Sequence, residues 1–116
     1  MQFHEKPEGE ILDIAEPIWD NLIEGSNERN YVKISKQFSR KMLDKVDEAN
    51  MKQQWESSET LTSLSTRREF LGCLRRGRFV TVLWKQLSFK VQGDYLATLV
   101  LGVEDKEIRV FGATIN

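Results

Sequence analysis

The stretch from Arg78 to Val91 limits the fold more than any other part of the sequence. It reads RFVTVLWKQLSFKV, has no Pro or Gly, and is rich in β-branched, aromatic and other apolar residues. Such a composition predicts one long β-strand. Both alternating faces are apolar in its first half and only one in its second half. We therefore expect cover on both faces and a bend near Lys85–Gln86.

Two shorter strands are predicted after the long one. The tight-turn signal of residues 92–94 leads into a strand over Tyr95–Val103, and a turn at 104–106 leads into a strand over Glu107–Ile115. Residues 78–116 are therefore predicted to form a three-stranded antiparallel sheet.

The N-terminal half has helical patterns instead. Apolar residues recur at spacings of three and four from Ile11 to Ile23, which predicts an amphipathic helix that ends at Gly25. Pro17 either kinks this helix or begins it, and the spacing that runs through Pro17 favours a kink.

Short, locally capped helices are predicted next. Their capping residues are Ser26 or Asn27, then Ser39, then Asp47, and finally Thr66 before a helix over Arg67–Arg75. The Ser- and Thr-rich residues 57–66 are predicted to be a loop or a frayed helix end.

Helices followed by strands predict an α+β fold, with N-terminal helices packed on a curved antiparallel meander sheet. We expect a single domain over residues 1–116, with residues 1–8 disordered, 9–76 helical and 78–116 forming the sheet. The first helix can cover one face of the sheet. The other face needs the shorter helices, a ligand or a second subunit, so we expect a homodimer through the sheet.

Several short motifs of the sequence are familiar. They are Asn30-Tyr31, Phe38-Ser39 and Met42 after the first helix, and Val82-Leu83-Trp84-Lys85 in the strand led by Gly77. With these motifs the chain resembles the cystatin-like fold and, more narrowly, the nuclear-transport-factor-2-like superfamily. Within it, the chain is most similar to a subgroup of small bacterial proteins without a defined activity.

The resemblance implies a curved sheet wrapped around the first helix as a cone, whose open end can hold a small molecule. It also implies dimers that pack through the outer face of the sheet. Members of this superfamily include isomerases, dehydratases and transport adaptors, so the fold alone does not define an activity.

Six residues are candidates for lining a ligand pocket or an interface: Trp19, Trp84, Lys85, Gln86, Thr98 and Arg109. The four polar ones lie within strands. They either occupy exposed strand positions or line the mouth of the cone. The tryptophans are core, interface or ligand-stacking residues.

No catalytic, metal or cofactor site is predicted. The only His is His4, in the segment expected to be disordered, and one Cys with one distant His makes no zinc site. Cys73 is read as a buried, inert thiol, with a reactive thiol of low pKa beside the arginines as the alternative. We expect Asp13, Glu16 and Asp20 on the polar side of the first helix to be solvated.

Charge is distributed unevenly along the chain. Residues 1–24 carry seven acidic residues and one lysine, whereas residues 66–90 carry seven basic residues and one glutamate. These regions either offset one another or form a basic surface; core-like spacing of the phenylalanines argues against nucleic-acid binding. The lone Cys and the absence of a signal peptide or a membrane-spanning run predict a cytoplasmic protein without a membrane partner.

The leading prediction is therefore a non-enzymatic homodimer that binds a small apolar molecule in its cone. The alternative is an isomerase- or dehydratase-like enzyme that uses a pocket carboxylate.

Overall fold

Helix α1 spans Glu8–Asn27 in the computed structural model, which describes residues 1–116. The apolar stripe predicted from its spacing is buried. Pro17 lies inside the helix, on its exposed side, where water can satisfy the carbonyl group left without an N–H donor. None of the helices combines the length and the apolar character that crossing a membrane requires.

Helix α1 does not end at Gly25, as predicted, but two residues later. Gly25 is buried, and a Cβ atom at this position would lie 2.9 Å from the backbone nitrogen of Ile34. The glycine therefore permits the close approach of the next helix to α1, and it does not cap α1.

Three short helices follow: α2 (Tyr31–Ile34), α3 (Arg40–Lys45) and α4 (Glu48–Ser57). The predicted caps Ser39 and Asp47 are confirmed, because each side chain accepts a hydrogen bond from a backbone N–H in the first turn. Helix α2 is capped by Asn30 and not by Ser26 or Asn27, which belong to α1.

Four antiparallel strands complete the chain: β1 (Leu64–Arg76), β2 (Phe79–Ser88), β3 (Asp94–Glu104) and β4 (Glu107–Ile115). They form one open meander in the order β1-β2-β3-β4. The prediction of an α+β fold with N-terminal helices and a meander sheet is confirmed. The predicted number of strands is wrong, because the sheet has a fourth strand, β1.

The helix predicted over Arg67–Arg75 is part of strand β1. The apolar spacing of this segment suits a helix, but a register shift between Phe70 and Gly72 hides the alternation of a strand. Gly72 has a φ of 149°, which an α-helix cannot contain, and Gly77 has a φ of 60° in the turn to β2. The bulge therefore explains why a strand resembles a helix in the sequence.

Strand β2 is shorter than the predicted strand over Arg78–Val91 and pairs with β3 without a register shift near Lys85–Gln86. It ends at Ser88, whose hydroxyl accepts hydrogen bonds from the N–H groups of Lys90 and Val91. The bulges lie in β1 and at the pairing of β3 with β4 instead.

The segment expected to be disordered, residues 1–8, is structured. Phe3–Glu5 form a 3₁₀ turn, and the Phe3 side chain is buried in the core. The guanidinium of Arg75 donates a hydrogen bond to the carbonyl oxygen of His4, with an N···O distance of 2.5 Å. The N-terminus is therefore held against the sheet by both apolar and polar contacts.

The helices cover one face of the sheet, which we call the inner face. It carries the fully buried strand residues Val80, Val82, Trp84, Ala97, Leu99, Leu101 and Val110. The opposite, outer face has no cover from this chain. Leu71, Leu74, Phe79 and Leu96 lie on it with 42–61% of each residue exposed. The expectation that both faces are apolar thus holds, but the chain covers only one.

Candidate functional site

Trp19 of α1 and Trp84 of β2 stack on each other between the helix and the sheet. Their ring centroids are 5.2 Å apart at an interplanar angle of 26°, and both side chains are buried. The indole N–H of Trp84 donates to a carboxylate oxygen of Glu16, at 3.0 Å. Trp84 is therefore a core residue on the inner face.

Gln86 completes this contact between α1 and the sheet. Its side-chain oxygen accepts a hydrogen bond from the indole N–H of Trp19, at 2.9 Å. Its amide group donates to the carbonyl oxygens of Ser65, at 2.5 Å, and Leu87, at 2.8 Å. Gln86 is fully buried, so it bridges α1, β1 and β2 and does not lie at a pocket mouth.

Arg68 links the acidic helix to the basic strand β1. Its guanidinium pairs with the carboxylates of Glu16 and Asp20, the latter at 2.8 Å, and lies 5.6 Å from the ring centroid of Trp84. Only 8% of its side chain is exposed. The two oppositely charged regions of the sequence meet at Arg68, as the first reading of the charge asymmetry expects, whereas Arg67, Arg76 and Arg78 are exposed and form no ion pair.

The other three polar candidates lie on the outer face. Lys85 pairs with Glu69 at 3.3 Å, the Thr98 hydroxyl bonds that of Thr114, and Arg109 pairs with Glu107 within β4. Lys85 and Thr98 are therefore away from the inner face, whereas Arg109 also lines a second, more open hollow together with Ile14, Pro17 and Ile18 of α1.

A mainly apolar hollow with a volume of about 410 Å³ lies between α1, the short helices and the ends of β3 and β4. We call it the cavity. Trp19 contributes to its wall, whereas Trp84, Lys85, Gln86, Thr98 and Arg109 do not. Its other apolar lining comes mainly from the following side chains: Leu22, Ile23, Ile34, Phe38, Met42, Met51, Leu61 and Leu64.

Ser58, Thr60, Tyr95 and Asn116 are polar lining residues that are partly or fully exposed to solvent, and we call this exposed part of the cavity its mouth. Thr114 also belongs to the lining, but its hydroxyl pairs with that of Thr98 on the outer face. Deeper in the wall, the hydroxyl of Ser26 is already paired. It donates to the carbonyl oxygen of Leu61 and accepts from the indole N–H of Trp55, at 3.0 Å. The inner part of the cavity is therefore apolar.

Tyr95 is the polar group that the sequence analysis missed. Its hydroxyl accepts a long hydrogen bond of 3.4 Å from the Thr60 hydroxyl, and its own proton is donated to no protein acceptor. The alternation of β3 places Tyr95 on the same face as Ala97 and Leu99, so strand parity could have identified it. Its meeting with Thr60, 35 residues earlier, could not be read from the sequence.

The ionisable groups considered for chemistry lie elsewhere. Asp13 is exposed, and Glu16 and Asp20 bind Arg68 outside the cavity. Burial and the nearby carboxylate of Glu8 raise the pKa of the Cys73 thiol, which favours the inert reading of this residue. No three or more His, Cys, Asp or Glu side chains meet in an arrangement that could hold a metal ion.

Comparison of the chain with protein-family models, with curated proteins and with solved structures finds no match. The resemblance to the nuclear-transport-factor-2-like superfamily therefore stays a prediction.

The buried amide of Gln86 gives a direct test of how the helix is held on the sheet. Gln86→Leu leaves the Trp19 indole N–H buried without a partner, so we expect the free energy of unfolding to fall by about 1–3 kcal/mol. The matched control Gln53→Leu changes an exposed residue of α4 and should alter it by less than about 0.5 kcal/mol. Urea denaturation followed by tryptophan fluorescence measures both. Equal stabilities of the two variants would contradict this role of Gln86.

Proposed function

We propose that the protein is a non-catalytic, homodimeric α+β domain that binds a small apolar molecule in the cavity. The observation that carries the proposal is the cavity itself, about 410 Å³ of mainly apolar space with a few polar side chains in its lining. Binding sites for small molecules are typically concave and apolar with a few polar groups, and this volume lies within their usual range.

The packing of the surrounding core supports this proposal. Protein interiors are normally filled to the density of organic crystals, and side chains that line a void lose dispersion contacts. Trp19, Phe38 and Met51 are buried in the core and also line the cavity. A bound apolar molecule would supply the contacts that these side chains lack on the cavity side.

The lining also supports a binding role over the alternative of an isomerase- or dehydratase-like enzyme. General acid–base catalysis needs a proton-transferring group within hydrogen-bond reach of the substrate. The cavity is lined by no His, Asp or Glu, and Tyr95 is its one ionisable side chain. The carboxylates of Asp13, Glu16 and Asp20 lie outside it.

The outer face supports the homodimer. Four strands about 4.8 Å apart and about ten residues long present roughly 600 Å², which approaches the ~800 Å² per partner of a stable interface. The face exposes Leu71, Leu74, Phe79 and Leu96 and carries both charge signs, with Lys85 paired to Glu69 and Arg109 to Glu107. A second copy related by a two-fold axis matches this pattern, because it can set basic groups against acidic ones.

Binding in the cavity predicts that N-phenyl-1-naphthylamine, a neutral probe that brightens in apolar sites, binds saturably with one probe per chain. Ala113→Phe places a large ring in the cavity and should abolish the fluorescence increase. Ala49→Phe, on the exposed side of α4, is the matched control and should bind like the wild type.

Thermal melting of Ala113→Phe separates a filled cavity from an unfolded protein, and Ile115→Trp provides a second filling variant. Undiminished probe binding by folded variants of both kinds would show that the probe binds elsewhere and would contradict the proposal.

The homodimer predicts a mass of twice the 13.5 kDa chain in light scattering at tens of micromolar. Leu74→Glu buries a charge in the interface and should yield monomers. The matched control Val32→Glu changes another exposed apolar residue, on α2 and away from the sheet, and should remain dimeric. A monomeric wild-type protein at this concentration would contradict the homodimer.

A further inference from the structure

The side chains that line the cavity are all uncharged. The polar ones are hydroxyl and amide side chains, and no Lys, Arg, His, Asp or Glu contributes to the lining. This is unusual for a chain in which 30% of the residues are charged. The charged residues of the neighbouring elements are instead engaged elsewhere, as in the pairing of Arg68 with Glu16 and Asp20.

An uncharged lining selects against ions. Moving a carboxylate or an ammonium group from water into an apolar site is costly unless an opposite charge or several hydrogen bonds compensate. Inside the cavity, the Ser26 hydroxyl is already occupied, and the amide of Gln54 donates to the side chain of Asn50, at 2.6 Å. The cavity therefore offers a buried ionic group no side chain of opposite charge.

Among the polar side chains at the mouth of the cavity, the Tyr95 hydroxyl is a hydrogen-bond donor. The Tyr95 hydroxyl receives the long bond from Thr60 and keeps its own proton free for an acceptor. Tyr95 is half-buried and lines the cavity, so an oxygen atom near the mouth can accept this proton.

We infer that the ligand is an uncharged, mainly apolar molecule with one oxygen acceptor, such as a hydroxyl or carbonyl group, which Tyr95 binds at the mouth. This inference rests on the proposed binding function and specifies its ligand class. At the ~30 Å³ that a water molecule occupies in the liquid, the cavity suits roughly ten to twenty non-hydrogen atoms.

Three compounds with the same alkyl chain test the charge preference on the unmodified protein: 1-decanol, decanoate and decylammonium at neutral pH. Each competes with N-phenyl-1-naphthylamine, and the loss of fluorescence gives its Kd. We expect 1-decanol to displace the probe and the two ions to bind at least about tenfold more weakly. A difference of less than about tenfold for either ion would overturn the inference.

Tyr95→Phe tests the hydrogen bond. We expect it to raise the Kd of 1-decanol about threefold to tenfold and to leave the Kd of N-phenyl-1-naphthylamine, which has no oxygen acceptor, unchanged. Tyr31→Phe is the matched control, because the Tyr31 hydroxyl donates to the carbonyl oxygen of Val46 and does not line the cavity. An unchanged ratio of the two Kd values in Tyr95→Phe would overturn the role of Tyr95.

The outcomes separate this inference from the proposed function. Saturable binding of N-phenyl-1-naphthylamine together with equal binding of 1-decanol and decanoate would overturn the ligand class and leave the binding function standing. No binding of the probe or of any decyl compound would overturn both.

Discussion

The stack of Trp19 on Trp84 holds the only long helix on the sheet, and the positions of the other elements depend on it. Two aromatic side chains bury a large apolar area, but each carries an N–H group that must be paired when buried. Glu16 and Gln86 supply these acceptors, and Arg68 neutralises Glu16 from the next strand. These contacts hold the helix against β1 and β2.

The cavity lies beside α1, between the short helices and the ends of β3 and β4. The short helices are bonded to both α1 and the sheet. Backbone hydrogen bonds join Ser39 and Gln37 to Val110 of β4, at 2.9 and 2.7 Å, and the Trp55 indole N–H bonds Ser26 of α1. Because the short helices are bonded to both α1 and β4, they lie across the space between these elements and form one wall of the cavity.

The parts that could be predicted from the sequence are those encoded by neighbouring residues. The apolar stripe of α1, the caps at Ser39 and Asp47 and strand β4 all depend on local spacing. The sequence pattern of strand β1 resembles that of a helix, because the bulge breaks the alternation of apolar and polar residues. Arg68 could therefore not be recognised as a buried partner of α1. The cavity could not be located, because its lining comes from helices and strands far apart in the chain.

The central proposal for this protein is that the cavity takes up an apolar molecule. A crystal structure of the protein with N-phenyl-1-naphthylamine tests it most directly. We expect density for the probe among Trp19, Met51 and Ala113, with α1 and the sheet in the positions described above. Density for the probe only on the outer face of the sheet, with the cavity closed by side chains, would contradict the account.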